Sequence, residues 1–157
     1  MPARPFAQAL TQLCVKLART LAKDGEGASR LIVCSVTGAK DTGNARKAAK
    51  GVVCSTLFKA AIFGSDANWG RVLCALGYCG VETDVTKVGV SFSSKAGTIT
   101  VCDNGAGIPF SEEQAKKILS EDEITVGVSL GDGNASATAF GCDLTYDYVK
   151  INGDYRT

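Results

Sequence analysis

The stretch "KDGEGAS", Lys23–Ser29, sets a carboxylate between two glycines just where an amphipathic helix runs out. Glu26 on such a turn is free to meet an ammonium group or another cation, but a polar turn after a helix is also ordinary solvated loop. The helix dipole disfavours acids at a C-terminus, so Asp24 and Glu26 are electrostatically odd there, and Gly25 is the residue expected to close the helix in a left-handed conformation. Other chemistry is narrowed by what the chain lacks. With no histidine among its 157 residues, a Ser-His-Asp triad or Cys-His dyad within the chain is excluded. A nucleophile here would need a lysine, a carboxylate or its own α-amine as base.

The remaining motifs are weaker. "GAKDTGNARK" places Gly38 and Gly43 at the distance found in phosphate-binding loops, but Asn44 and Ala45 stand where the lysine and the hydroxyl should be, so it reads as a capped helix start. Asp132 and Asn134 in "GDGN" suggest a calcium loop, yet the bidentate glutamate of such loops is missing. Asn134-Ala135-Ser136 fits a glycosylation acceptor, but no secretory signal precedes it. The seven cysteines include no C-x-x-C pair and find no imidazole partner, which argues against a metal site. Cys14, Cys54 and Cys74 on apolar helix faces and Cys34 in an apolar strand read as buried free thiols, with Cys79 and Cys102 beside turns.

These residues need a scaffold, and the composition supplies one. A chain of 157 residues, 45% hydrophobic and 21% charged, fits one soluble domain with a sizeable core. Seventeen basic against sixteen acidic residues give a net charge of +1, with no basic run on an aromatic face, so nucleic acid is not an expected partner. No apolar stretch is long enough for a membrane span or a signal-peptide core, and the expected setting is the cytoplasm.

Periodicity then orders the elements. Phe6, Leu10, Leu13, Cys14, Leu17 and Leu21 make one helical stripe; Arg30–Val36 reads as a strand; Ala45 to Ala60 reads as a second helix capped by Asp41 or Thr42. A third helix starts from Ser65 or Asp66, turning Trp69, Val72, Leu73 and Leu76 inward until Gly77 and Gly80. Val88, Val90 and Phe92 pair with Ile99 and Val101 as a hairpin; a short helix over 111–119 opens with Ser111 and Gln114 at capping-box spacing. Ile124 to Leu130 and "ASATAF" are strands, and Leu144–Asn152 is a last amphipathic helix. The pattern predicts an α+β fold, a mixed sheet with packed helices in a single compact domain.

Three long stretches carry a resemblance. "LAKDGEGASRLI", "FKAAIFGSDANWGRVLCALGY" and "ASATAFGCDLTYDYVKINGDYRT" resemble, in this order, the C-terminal part of the ornithine acetyltransferases, the bifunctional glutamate N-acetyltransferases of arginine biosynthesis. The similarity runs from about Phe6 to the last residue. It implies that residues 1–157 are the C-terminal domain of a β chain from an enzyme that moves acetyl from N-acetylornithine to glutamate without metal or other cofactor. In that family an N-terminal threonine created by self-cleavage is the nucleophile, with its own amine as local base. Nothing in 1–157 matches that threonine or its oxyanion hole, so no catalytic residue is expected in this chain, and the partners implied are the nucleophile-bearing segment or α chain, the amino-acid substrates and an oligomeric assembly. The Phe6–Leu21 stripe is then expected to be an exposed apolar face.

Carried over residue by residue, the family's substrate-contacting positions fall on Glu26, Asn152 and Thr157. Asn152 as a helix-end cap and Thr157 as a frayed terminus are the structural alternatives. Gly153, Ser65 and Phe140 stand where the family has Ala, Ala and Trp, which touches local packing and none of the three site positions. An alternative of a different class is a non-catalytic binding or assembly module on the same fold.

Overall fold

The computed structural model describes residues 3–155. In its sheet β1 (Leu31–Ala39) pairs in parallel with β5 (Glu123–Ser129) and antiparallel with β6 (Ala135–Cys142). The hairpin of β2 (Gly89–Ser94) and β3 (Gly97–Asp103) joins on the other side of β5, and β4 (Ala106–Gly107) closes the edge in the order β4-β3-β2-β5-β1-β6. The single parallel contact makes the sheet mixed, as the α+β reading requires.

The two faces of this sheet differ because strand side chains alternate. Ile32, Cys34 and Val36 of β1, Ile124, Val126 and Val128 of β5, and Val90 and Phe92 of β2 are buried on one face. That face is covered by α2 (Thr42–Cys54), α3 (Thr56–Phe63), α4 (Trp69–Tyr78) and α5 (Glu112–Leu119), which add Ala45, Ala48, Ala49, Val52, Phe58, Ile62, Val72, Leu76 and Ile118. Phe58 stacks on Phe92, 6.4 Å between ring centres. The opposite face carries Ser35, Thr37, Ser91, Thr100 and Ser129 around an open cavity of about 280 Å³. Against this face α1 (Ala3–Lys23) leans through Arg19, which pairs with Glu123 at 2.6 Å and lies over the Phe140 ring at 5.6 Å. Phe6, Leu10, Leu13, Leu17 and Leu21 of α1 are exposed, as the stripe was expected to be.

Three local expectations are corrected. The helix expected from Ala45 to Ala60 is two helices, because the buried hydroxyl of Ser55 accepts from Phe58 N and offers the backbone an alternative to continuing the helix. The break rotates the stripe, so Leu57 is exposed instead of buried. The cap of α4 is Asn68, whose side chain accepts from Arg71 N at 3.1 Å; Asp66 instead accepts from Asn68 Nδ2, and Ser65 sits at φ 54°. Finally, Cys14, Cys54 and Cys74 are exposed and not buried: each lies on a helix whose apolar face is left uncovered or turns away from it.

Cys34 remains inside the core, where burial pushes its thiol up to about 12. The folded thiol therefore keeps its proton while the unfolded one releases it near its ordinary 9.0, so this contribution to stability is intact below pH 9 and is lost as the pH rises towards 12. A thiol reagent at neutral pH is expected to label Cys14, Cys54 and Cys74 in the native protein, and Cys34 only after denaturant is added. Native-state labelling of Cys34 at a rate matching the exposed thiols would contradict this placement.

Candidate functional site

The Glu26 turn is shaped from both sides by the segment that follows β6. Gly27, not Gly25, takes the left-handed conformation, at φ 65°, and a Cβ there would lie 2.7 Å from Tyr148 N. Gly25 is glycine for another reason: a Cβ on it would lie 2.5 Å from the Cys142 sulfur. The turn is thus pressed onto the chain at two points. Asp143, 3% exposed, accepts from Ser29 N at 2.8 Å, Arg30 N at 3.0 Å and Ser29 Oγ at 2.5 Å. Arg30 in turn donates to the carbonyls of Ile62 and Phe63, tying the base of the turn to the end of α3.

Beyond Asp143, Thr145 caps α6 (Tyr146–Asp154) by accepting from Tyr148 N at 3.3 Å, and its hydroxyl donates to Gly27 O at 2.6 Å. Two turns later on this helix Asn152 Nδ2 donates to Tyr148 O at 2.9 Å and to Glu26 Oε2 at 2.6 Å. Two of the three sequence-assigned positions, 126 residues apart, therefore meet side chain to side chain. Thr157 lies outside the described residues.

The hydrogen bonds fix what the pair can bind. Both protons of the Asn152 amide are directed at acceptors, so flipping it would set oxygen against oxygen, and the orientation is settled by the network. Asn152 Oδ1 and Glu26 Oε1 accept nothing among the described residues, and both side chains are exposed. Two acceptor oxygens, one on a carboxylate, suit a donor with several N–H groups, which is the chemistry of an ammonium. Among the described residues no group of three or more His, Cys, Asp or Glu converges on a metal site, and Asp132 of the "GDGN" turn is 3.6 Å from Lys87 Nζ.

Sequence reading missed Ser29, Asp143 and Thr145. Threonine three residues ahead of Tyr148, at the start of an amphipathic segment, is a capping signal that could have marked Thr145. Asp143 carried no signal, because its partners lie 113 and 114 residues upstream.

The fold superposes on a bacterial protein of arginine biosynthesis. With a TM-score of 0.91 and 42% identity, 99% of the chain matches the crystal structure of arginine biosynthesis bifunctional protein ArgJ from Bacillus halodurans, of which it covers 73%. The ArgJ family description matches residues 2–157, and the chain belongs to the ArgJ family. It is 53% identical over 152 residues to arginine biosynthesis bifunctional protein ArgJ 1 of Clostridium acetobutylicum, and 45% identical to the glutamate N-acetyltransferase of Methanopyrus kandleri. In each case 97% of the chain is matched, while it spans only 37% and 39% of those relatives' lengths.

Replacing Gly27 by alanine is expected to cost about 1–3 kcal/mol, since it combines a left-handed φ with a Cβ against the α6 backbone. Gly25→Ala, which meets a side-chain sulfur that can turn away, is expected to cost less. Denaturant midpoints of the two variants decide it, and equal losses would remove the distinction between the two glycines.

Proposed function

We propose that residues 1–157 form the C-terminal domain of a glutamate N-acetyltransferase β chain and supply the amino-acid-recognising side of its acyl-transfer site. The observation that carries this reading is the convergence of Glu26 and Asn152, each brought by a different element to one hydrogen-bonded pair with two acceptor oxygens turned outward. Family membership supports the reaction, acetyl transfer from N-acetylornithine to glutamate, and both substrates carry an amino group for such a pair to hold. The nucleophile is a threonine with a free α-amine, contributed from outside residues 1–157. Thr157 is the third substrate contact in this proposal. The exposed α1 stripe supports assembly with further protein, and seven unpaired cysteines suit a cytoplasmic setting.

Residues 1–157 alone are expected to transfer no acetyl group from N-acetylornithine to glutamate. Turnover by the purified segment would demand a nucleophile within it. In the complete enzyme Glu26→Gln is expected to lower kcat/KM on the order of tenfold to a hundredfold, the loss of one charge-assisted hydrogen bond, while shifting stability by less than about 0.5 kcal/mol. Wild-type kinetics with an unchanged unfolding midpoint would return Glu26 to the status of a solvated turn residue.

A further inference from the structure

We infer that Asp143 and Thr145 are positioning residues for the Glu26–Asn152 pair, holding turn and helix in one register; this rests on the reading under Proposed function. The inference starts from a deficit. None of the nine residues of α6 is buried: Tyr146 is 83% and Val149 63% exposed, so little apolar burial fixes where this helix lies. A single exposed helix of this length does not hold its own conformation in water. The edge-on contact of Tyr146 with Phe63, at 5.4 Å, is its one aromatic attachment. Its hydrogen bonds near the site run to the turn that carries Glu26.

The Thr145 hydroxyl is the narrowest of these links. One oxygen accepts from Tyr148 N to start the helix and donates to Gly27 O to hold the turn, so the two elements share an atom. Tyr148 then relays the position onward, since its carbonyl receives Asn152 Nδ2 one helical turn later. Asp143 fixes the other end of the turn by its three bonds to Ser29 and Arg30. Glu26 itself sits between Gly25, pressed on Cys142, and Gly27, pressed on Asp147 and Tyr148. Gly25, Gly27, Ser29 and Arg30 thus all meet residues of 142–148, the same segment that launches the helix bearing Asn152. Neither Asp143 nor Thr145 touches the outward oxygens, so their effect on substrate passes through the pair.

The test is a double-mutant cycle on the complete enzyme, reading kcat/KM for the amino-acid substrate. Thr145→Val is expected to lower it by about tenfold, the loss of both hydrogen bonds of its hydroxyl, and Thr145→Ser, which keeps the hydroxyl, to restore it to within about threefold. In a Glu26→Gln background Thr145→Val is expected to add less than about a twofold further loss, because a residue that acts through Glu26 has nothing left to position. Losses that multiply, or a Thr145→Val enzyme with wild-type kinetics beside an impaired Glu26→Gln, would overturn the positioning role and leave the proposed function standing. A Glu26→Gln enzyme with wild-type kinetics would overturn both. If Thr145→Val fails to fold, Ser29→Ala, which removes only the bond from an exposed hydroxyl to Asp143, is read in the same cycle with the same two outcomes deciding.

Discussion

A carboxyl group removed from water has to be given hydrogen-bond donors, and Asp143, 3% exposed, takes all three of its donors from residues 29 and 30. That requirement joins the start of β1 to the exit of the edge strand β6. β1 and β6 are already antiparallel neighbours, with Leu31 opposite Cys142, and Asp143 carries this on, its N–H donating to Arg30 O at 3.2 Å while its carboxylate takes the donors of Ser29 and Arg30. Leaving any of these partners unmade would cost on the order of 1–3 kcal/mol, enough to keep the turn closed against the sheet. The Glu26 turn thus inherits its position from a buried carboxylate although Glu26 itself is exposed.

The sheet explains why such a site lies where it does. Its helix-covered face is consumed by the core, whereas the other face offers small hydroxyl residues and a single leaning helix. Both the Glu26 turn and α6 lie at the end of the sheet where β1 begins and β6 finishes. There the backbone leaves regular pairing, and side chains can be aimed by turn geometry instead of pleat. Loops held by a rigid scaffold are the usual place for binding groups, and here the scaffold is the pair of strands on either side of the turn.

Periodic segments were legible in the sequence because burial imposes the period. The strand alternation at Ile124–Leu130 became β5 nearly as read, the Ala45–Ala60 stripe held only as far as Val53 in α2, and Ser111 does cap α5 through Gln114 N. What failed were decisions made by a single polar atom. The Ser55 hydroxyl splits a helix, and Asn68 in place of Ser65 or Asp66 starts one, each through a hydrogen bond that competes with equally plausible neighbours. The exposure of Cys14, Cys54 and Cys74 was hidden because an apolar stripe says which side of a helix wants cover, not whether cover is present. For the site, Glu26 and Asn152 came from resemblance and not from pattern. Their meeting, like the Asp143 and Thr145 contacts beneath it, is a long-range fact that no local window contains.

The electrostatics of the pair favour a partner that brings its own charge. Glu26 follows the C-terminal end of α1, where the last carbonyls repel an anion, and the amide of Asn152 relieves this on one oxygen only. An ammonium arriving at the other oxygen would be welcomed by the carboxylate and by the negative end of the helix together. In open water that attraction is screened to a fraction of its value, since an exposed ion pair contributes only about 0–1 kcal/mol. Both side chains are exposed, so under the proposed function the pair would hold an ammonium strongly only where further protein covers it and excludes solvent. The chain spans 37% of the length of its Clostridium relative, and the uncovered sheet face and α1 stripe leave room for such a cover. Under the proposed function the same cover would also hold an amine bound at this pair at a fixed distance from the acyl group it is to receive.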